Sequence, residues 1–331
     1  MGSGQSARLS RLDNAAARGL AAGLLGGRAE ARTAEPFGAG KFSQTFLVRT
    51  DADDYVLRVG PPDDLLQLFY EYRMMRQEPA LHRLIAGRTD VPIPPIIAWD
   101  FSRERIDRDY LLMPRLPGRP LSETPGLPAA QQQRILRDLG RHVARLHAVR
   151  IRRFGYVGRH RPMTPQPDWP SAFAIMWATI WDDCRRCGGV AEADHVLAAD
   201  LFDRHRGAFD PHTPAALCHM DLWAANLLVH DGRLEAVFDF DRACWGDPGC
   251  DLAVAEYCGL TTPAFWAGYG RRPPGGADAA VRRWFYLIYE HVKYVVIRLS
   301  ARRNDPAGAA RYADDCRQAM RRFDRTGEPV F

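Results

Sequence analysis

The sequence predicts an α+β fold in two lobes, a small β-rich lobe followed by a larger helical lobe. Residues 36–114 contain short apolar runs of the kind that strands favour, such as "FSQTFLVRT", "YVLRVG" and "YLLMPRL". From about residue 129 onward, apolar residues recur at helical spacing, beginning in "QQQRILRDLGRHVARLHAV". A chain of 331 residues that is 46% hydrophobic can bury a core in each lobe.

The individual elements follow in chain order. Residues 1–28 are expected to form a flexible segment and an amphipathic helix, and residues 29–113 form the first lobe. This lobe is predicted to contain a helix at about 64–86 and a strand in "VPIPPIIAWD". The junction "MPRLPGRPLSETPGLP" is rich in proline and glycine, which predicts a stiff connector outside either lobe. Residues 114–331 form the second lobe, with a helical insertion at about 156–212.

Composition argues against several classes of protein. The net charge of +5 is small, and only two of the 45 basic residues, Lys41 and Lys293, are lysines, so the arginine bias does not indicate nucleic-acid binding. No apolar run reaches the ~18 residues of a membrane span. The seven cysteines lack paired spacing apart from Cys184 and Cys187, which favours a reducing, cytoplasmic location over a disulfide scaffold or zinc site. The sequence is compatible with a monomer or a homodimer.

One segment concentrates the polar residues that carry chemistry. "HMDLWAAN", residues 219–226, fits the template H-x-D-x-x-x-x-N, in which Asp221 would accept a hydroxyl proton and Asn226 would bind a metal ion. Asp239 follows the apolar run "LEAVF", where a second carboxylate would bind Mg²⁺. The "HDGR" between them predicts a hairpin turn that brings Asn226 and Asp239 together. Ordinary turn carboxylates are the alternative, but the paired spacing and apolar flanks favour a phosphotransferase site.

The segment "HMDLWAANLLV…VFDFDRACWGDPGCDLA" resembles the catalytic and metal loops of the aminoglycoside phosphotransferase family, whose members share the protein-kinase fold. The similarity extends from about residue 33 to about residue 300. It implies a bilobal, protein-kinase-like enzyme that uses Mg²⁺ and ATP, with GTP as an alternative. By this resemblance Asp221 is the catalytic base, and Asn226 and Asp239 are the Mg²⁺ ligands.

A kinase-like fold requires a loop that covers the nucleotide phosphates between the first two strands. The stretch "FGAGKFSQTFLV" lies there, and Gly38 and Gly40 would let the backbone approach the phosphates. Ser43 takes the position of a third glycine. Lys41 is a candidate phosphate contact, although a solvated loop lysine is the simpler interpretation.

Further nucleotide contacts are expected along the first lobe. Arg58 in "YVLRV" takes the place of the usual lysine and can bind phosphate through its guanidinium. Its carboxylate partner is Glu71 or Glu78, which are seven residues apart and would share a helix face, with Glu78 preferred for its spacing to the next strand. Backbone groups of about Met113 and Arg115 would bind the purine, and these do not distinguish ATP from GTP.

Features absent from the sequence narrow the acceptor. Met220 replaces the arginine and Asp241 the glycine that a protein kinase would have, and "RACWGDPGCDLA" leaves no room for a peptide-binding activation loop. A small hydroxylated molecule is therefore predicted. The aromatics of the insertion and of the later helix, Trp169, Trp177 and Trp284 among them, are expected to be mostly core, with some lining the acceptor pocket.

The charge of the last sixty residues favours a neutral or weakly charged acceptor over a polycationic one, because basic residues outnumber acidic ones there. By resemblance, the main functional prediction is O-phosphorylation of an antibiotic or related natural product. The alternatives are a metabolic kinase for a sugar, choline-like alcohol or amino-alcohol, and a non-catalytic kinase-like binding module.

Overall fold

The computed structural model describes residues 12–38, 42–65, 68–156, 163–273, 275–300 and 303–331. The elements of the first lobe are α1 (Asn14–Leu25), β1 (Ala31–Pro36), β2 (Gln44–Thr50), β3 (Asp54–Val59), α2 (Glu78–Arg88), β4 (Ala98–Asp100) and β5 (Tyr110–Pro114). The strands form a five-stranded antiparallel sheet with the order β1-β2-β3-β5-β4. The mixed architecture predicted from the sequence is confirmed.

Helix α1 packs on this sheet and shares its core. Asp13 caps the helix, because its side chain accepts the backbone N–H of Ala16 at 2.7 Å. Leu20 of the helix is buried in one cluster with Phe46 and Leu57 of the strands. The helix placed within residues 1–28 is therefore an integral layer of the first lobe.

The predicted helix at 64–86 is wrong in its first half, since α2 begins only at Glu78. Arg73 adopts a left-handed conformation (φ 54°), which no α-helix can continue through. Pro79 then lies in the first turn of α2, where its missing N–H costs nothing. Glu71 consequently lies in a turn and does not share a helix face with Glu78.

The strand expected in "VPIPPIIAWD" is also shorter than predicted. Only Ala98–Asp100 pairs with β5. Pro92, Pro94 and Pro95 precede this strand, and proline has no N–H to offer a strand ladder.

The connector between the lobes does not stand apart from both of them, contrary to the prediction. Its residues Arg119–Pro120 form a short strand, β6, that pairs antiparallel with β10 (Leu227–His230) of the second lobe. Gly118 adopts φ 100°, and a Cβ atom there would collide with the carbonyl oxygen of Val229. The middle of the connector is thus a strand of the sheet that contains β10 and β11 (Arg233–Val237).

The second lobe is mainly helical. Its helices are α3 (Ala129–Ala148), α4 (Trp169–Arg186), α5 (Glu192–His205), α6 (Pro248–Tyr257), α7 (Pro263–Tyr269), α8 (Ala277–Leu299) and α9 (Pro306–Thr326). Its further strands are β7 (Arg150–Ile151), β8 (Gly155–Tyr156), β9 (Ala215–Cys218), β10 (Leu227–His230), β11 (Arg233–Val237) and β12 (Cys244–Gly246). Within the described residues, no helix combines the length and apolarity that a bilayer crossing requires.

The aromatic residues of α4 and α8 form the centre of this lobe. Trp169, Trp177 and Trp284 are at most 2% exposed. Phe173 lies among them and contacts the ring of Tyr286 edge to face, with centroids 5.1 Å apart. The core assignment is therefore correct, and the expectation that some of these tryptophans line an acceptor pocket is not met because burial leaves no ring face for a ligand.

Candidate active site

The catalytic motif is presented by a loop and a hairpin. Strand β9 ends at Cys218, the motif follows, and β10 and β11 are joined by the two-residue turn Asp231–Gly232. Both turn residues have positive φ angles, 47° and 68°, as a type I′ turn requires. The backbone N–H of Phe238 donates to the carbonyl oxygen of Asn226 at 3.1 Å. The predicted hairpin is therefore present, and it brings the backbones beside the two proposed metal ligands together.

Asp251 in the first turn of α6 anchors the start of the catalytic loop. Its buried carboxylate accepts the backbone N–H groups of His219 at 2.7 Å and Met220 at 2.6 Å. The Nε2 atom of His147 lies 3.1 Å from the same carboxylate. Burial would raise the pKa of Asp251, but the contacts with His147 and His219 outweigh it and lower the pKa. The negatively charged carboxylate of Asp251, through its hydrogen bond with the backbone N–H, stabilises Met220 in a conformation (φ 67°) that is rare for a residue with a side chain.

The carboxylate of Asp221 lies at the centre of the site. Its Oδ2 accepts a hydrogen bond from the side-chain amide of Asn226 at 2.9 Å. Its Oδ1 faces two cations, Arg242 Nη1 at 3.4 Å and Lys293 Nζ at 3.6 Å. Burial alone would raise the pKa of Asp221, but Lys293 and Arg242 outweigh it, so the pKa is lowered. Asp221 is therefore ionised at neutral pH and able to accept a hydrogen bond from a hydroxyl.

Three residues at or beside Asp221 were not predicted to belong to the site: Arg242, Lys293 and their shared partner Glu290. Glu290 on α8 accepts hydrogen bonds from Arg242, at 2.8 Å to Nη2, and is paired with Lys293. A signal for the pair was present, because a glutamate and one of only two lysines lie three residues apart in the apolar stretch "FYLIYEHVKYVVI". Charged residues in such a stretch are buried and need partners.

Arg58 on β3 links the first lobe to the metal-loop carboxylates. Its guanidinium donates to Glu78 at 2.7 Å and to Asp239 at 2.9 Å, and lies 3.7 Å from Asp241. Burial alone would lower the pKa of Arg58, but these carboxylates outweigh it and raise the pKa. One cation is thus surrounded by three carboxylates.

Glu71, the alternative partner of Arg58, lies outside this group. Its carboxylate accepts the backbone N–H of Leu68 at 3.1 Å, in the turn that precedes α2. The geometry pairs Arg58 with Glu78, the carboxylate that the sequence analysis preferred.

The residues near Asp239 suit a divalent cation. Asn226 uses its amide nitrogen for Asp221, so its side-chain oxygen is free to act as a ligand. The carboxylates of Glu78, Asp239 and Asp241 share the single cation of Arg58, so negative groups are in excess. Burial, together with the nearby charges of Asp239 and Glu78, raises the pKa of Asp241 well above its usual range. Oxygen donors next to excess carboxylate are the environment that Mg²⁺ prefers.

The loop between β1 and β2 lies where a phosphate-covering loop was expected. Gly38 adopts φ 71°, which a residue with a side chain rarely does. The buried hydroxyl of Ser43 has no hydrogen-bond partner among the residues described. A polar group in that state is suited to a phosphate oxygen. Gly40 and Lys41 lie outside the described residues.

The segment between the lobes contributes Met113 and Arg115. Met113 is buried in β5, opposite Val56 of β3. The backbone N–H of Arg115 donates to the carbonyl oxygen of Asp54 at 2.9 Å. This N–H is therefore not available to a purine, contrary to the prediction. The guanidinium of Arg115 lies 5.1 Å from the ring centre of Phe37, at the base of the phosphate loop.

The two lobes and the carboxylates between them define a small-molecule phosphotransferase with the protein-kinase-like fold. Residues 33–285 match the model of the phosphotransferase enzyme family. This match covers most of the chain, and the protein belongs to that family. The fold, the enzyme class and the resemblance noted in the sequence are thereby confirmed.

Proteins of related sequence are named as kinases, and two of them show the following similarity to this chain. Probable ketoamine kinase YniA of Escherichia coli (strain K12) is 29% identical over 219 residues, which cover 62% of this chain and 68% of the relative. The probable ketoamine kinase of Vibrio cholerae serotype O1 is 25% identical over 262 residues, covering 76% and 81%. These names match the metabolic alternative of the sequence analysis better than its antibiotic prediction.

Solved structures share the fold at low sequence identity. A protein of Haemophilus somnus 129PT that is named as a fructosamine-3-kinase aligns with a TM-score of 0.65 and 16% identity over 90% of this chain and 96% of that one. A thermostable mutant of the aminoglycoside phosphotransferase APH(4)-Ia, in its apo form, aligns with a TM-score of 0.63 and 19% identity, covering 88% and 95%. Neighbours at this identity support the fold alone.

Proposed function

We propose that the protein is a Mg²⁺- and ATP-dependent kinase that phosphorylates a hydroxyl group of a ketoamine or a related sugar-derived metabolite. The observation that carries the proposal is the ionised Asp221, with Asn226 on one oxygen, beside the Arg58–Glu78 pair and Asp239. A base, metal ligands and a phosphate-binding cation are the parts that phosphoryl transfer needs.

The chain's own residues divide the work. Asp221 orients the acceptor hydroxyl and takes its proton as the phosphoryl group is transferred. Arg58, held by Glu78, neutralises the nucleotide phosphates, and Gly38 and Ser43 would contact them through a backbone group and a hydroxyl. Asn226 and Asp239 would hold Mg²⁺, which neutralises charge on the phosphates.

The acceptor class rests on the relatives. Several curated relatives are named as ketoamine kinases, and a ketoamine of a sugar offers many hydroxyls and a single amine. Such a molecule is weakly charged, in agreement with the basic C-terminal region. The antibiotic prediction has weaker support, because the antibiotic-phosphorylating neighbours share only the fold. A non-catalytic module would not need to keep both proposed metal ligands and the base.

The proposal is tested by mass spectrometry of acceptors after incubation with the purified protein, Mg²⁺ and ATP. The panel contains a ketoamine made from glucose and an α-amino-blocked lysine, unmodified fructose, choline, hygromycin B and gentamicin, each repeated with GTP. We expect the ketoamine to gain one phosphoryl group. Asp221→Asn keeps the shape of the side chain and is the matched control, with transfer expected to fall by about 10²–10⁴-fold.

Each outcome has a definite meaning. Phosphorylation of fructose or choline alone would keep the metabolic class and replace the ketoamine. Phosphorylation of an antibiotic alone would restore the antibiotic prediction. Nucleotide binding without transfer to any member of the panel would reject the ketoamine and each of the other acceptor classes.

A further inference from the structure

We propose that Lys293, held by Glu290, is a positioning residue that fixes the orientation of the catalytic carboxylate of Asp221. The inference rests on the proposed function, which assigns Asp221 as the base. It gives helix α8 an indirect part in the reaction, exerted through Asp221.

The position of the Lys293 ammonium group is fixed from three sides. Its Nζ atom forms an ion pair with Glu290, one turn earlier on α8. The same atom lies 3.6 Å from Oδ1 of Asp221 and 4.5 Å from the ring centre of Tyr294. Only 3% of the lysine side chain is exposed, so its charge is directed at these groups and not at solvent.

The two oxygens of Asp221 are held by different groups. Oδ1 faces Lys293 and Arg242, whereas Oδ2 accepts the amide of Asn226. The carboxylate cannot rotate about its Cβ–Cγ bond without losing these contacts. The lone pairs left unbound therefore point in a fixed direction, which is what a positioned base requires.

The charges of this group balance. Arg242 and Lys293 supply two positive charges, and Asp221 and Glu290 supply two negative ones. Glu290 accepts from Arg242 Nη2 at 2.8 Å and so ties the two cations together. Burial and Arg242 would lower the pKa of Lys293, but the carboxylates outweigh them and raise it, so the lysine stays charged. Removal of one member shifts the others, because buried charges depend on their partners.

A lysine suits this position better than the arginine that dominates the chain. An ammonium group is compact, and a planar guanidinium needs more room. Arg242 already lies 3.4 Å from Oδ1 of Asp221, so a second guanidinium at position 293 would compete with it for the same oxygen. The prediction for substitutions follows from this difference in size and charge.

The decisive experiment compares steady-state kinetics of Lys293→Met with those of the wild type, using the acceptor that the wild type phosphorylates. Methionine keeps the length of the chain, and Glu290 keeps Arg242 as its partner. We expect kcat to fall by about 10- to 100-fold, the cost of a misplaced reacting group. The KM for ATP is expected to stay within about two-fold, because the nucleotide contacts are untouched.

Two further variants serve as controls. Lys293→Arg restores the charge and is expected to recover part of the lost kcat. Arg283→Met removes a positive charge from the same helix, at an exposed pair with Glu256, and is expected to leave kcat within about two-fold. Tm and ATP binding of each variant establish that it is folded.

A fall in kcat alone, partly restored by arginine, supports the proposal. Wild-type kcat in Lys293→Met overturns it, and so does a joint loss of kcat, ATP affinity and Tm, which indicates a structural role. If the wild type phosphorylates no acceptor, the proposed function fails separately. The positioning role is then judged by the slow hydrolysis of ATP, in which water replaces the acceptor, with the same expected outcomes.

Discussion

Asp251→Asn is expected to weaken the hydrogen bonds that hold the start of the catalytic loop, while the shape of the side chain stays unchanged. One oxygen of the Asp251 carboxylate accepts hydrogen bonds from the backbone N–H of His219 and from the ring of His147. The other oxygen accepts the backbone N–H of Met220. Asparagine has one oxygen, and its NH₂ group must then face a donor. If the oxygen stays with the two donors, the N–H of Met220 is left buried without an acceptor.

The magnitude follows from these contacts. The lost bond to Met220 costs about 1.5–3 kcal/mol, since its acceptor was charged. Each of the two remaining bonds changes from a charged to a neutral acceptor, at about 1 kcal/mol each. The sum is about 3.5–5 kcal/mol, which lowers Tm by roughly 7–10 °C at about 2 °C per kcal/mol.

The assay combines thermal unfolding with phosphate transfer. Asp200→Asn is the matched control, because Asp200 forms only an exposed pair with Arg204 and its loss should cost less than about 0.5 kcal/mol. Transfer by Asp251→Asn is expected to fall by more than about 10²-fold, since the loop that carries Asp221 loses its anchor. Wild-type Tm and full transfer in this variant would refute the anchoring argument.

The other predictions concern the base, the metal ligand, helix packing and pH. Asp221→Ala should abolish transfer and leave ATP binding within about three-fold in calorimetry, whereas Asp239→Ala should weaken Mg²⁺-dependent ATP binding by about ten-fold or more. Gly268→Ala should lower the free energy of unfolding by about 1–3 kcal/mol, measured in urea, because a Cβ atom there would collide with the carbonyl oxygen of Arg137 in α3. The folded-state pKa of Asp251 lies below the ordinary value of 3.8, so its stabilisation is fully present above about pH 4 and is lost as the pH falls through the folded pKa. Acid unfolding of Asp251→Asn should lack this component, and identical acid profiles for variant and wild type would contradict the assignment.

Residues in one continuous motif were the easiest to predict from the sequence. The spacing of Asp221, Asn226 and Asp239 required only a loop and a hairpin, and "DG" at positions 231–232 supplied the turn. Arg58 was predicted to lie on the third strand, and the structure places it there within hydrogen-bonding distance of Glu78. Local patterns are sufficient where the chemistry is local.

Contacts between distant parts of the chain were not predictable in the same way. Arg242, Glu290 and Lys293 meet only because α8 folds back against the catalytic loop, and no local spacing encodes that meeting. The error in the first half of the helix predicted at 64–86 has a related cause. The segment around Arg73 reads as a helix, but Phe69 donates its backbone N–H to Asp183 of the second lobe, and this tertiary contact overrides local propensity.

The pairing of Arg119–Pro120 with β10 also limits how the two lobes can move. Because β6 travels with the catalytic hairpin, and the N–H of Arg115 is tied to the first lobe, a change in the angle between the lobes must be absorbed by residues 116–118. A hinge of three residues permits rotation but little sliding. Opening of the cleft to release product would therefore swing the Arg58 cation along an arc away from Asp239, to which it is hydrogen-bonded at 2.9 Å, and the same short pivot would set how far the cleft can open.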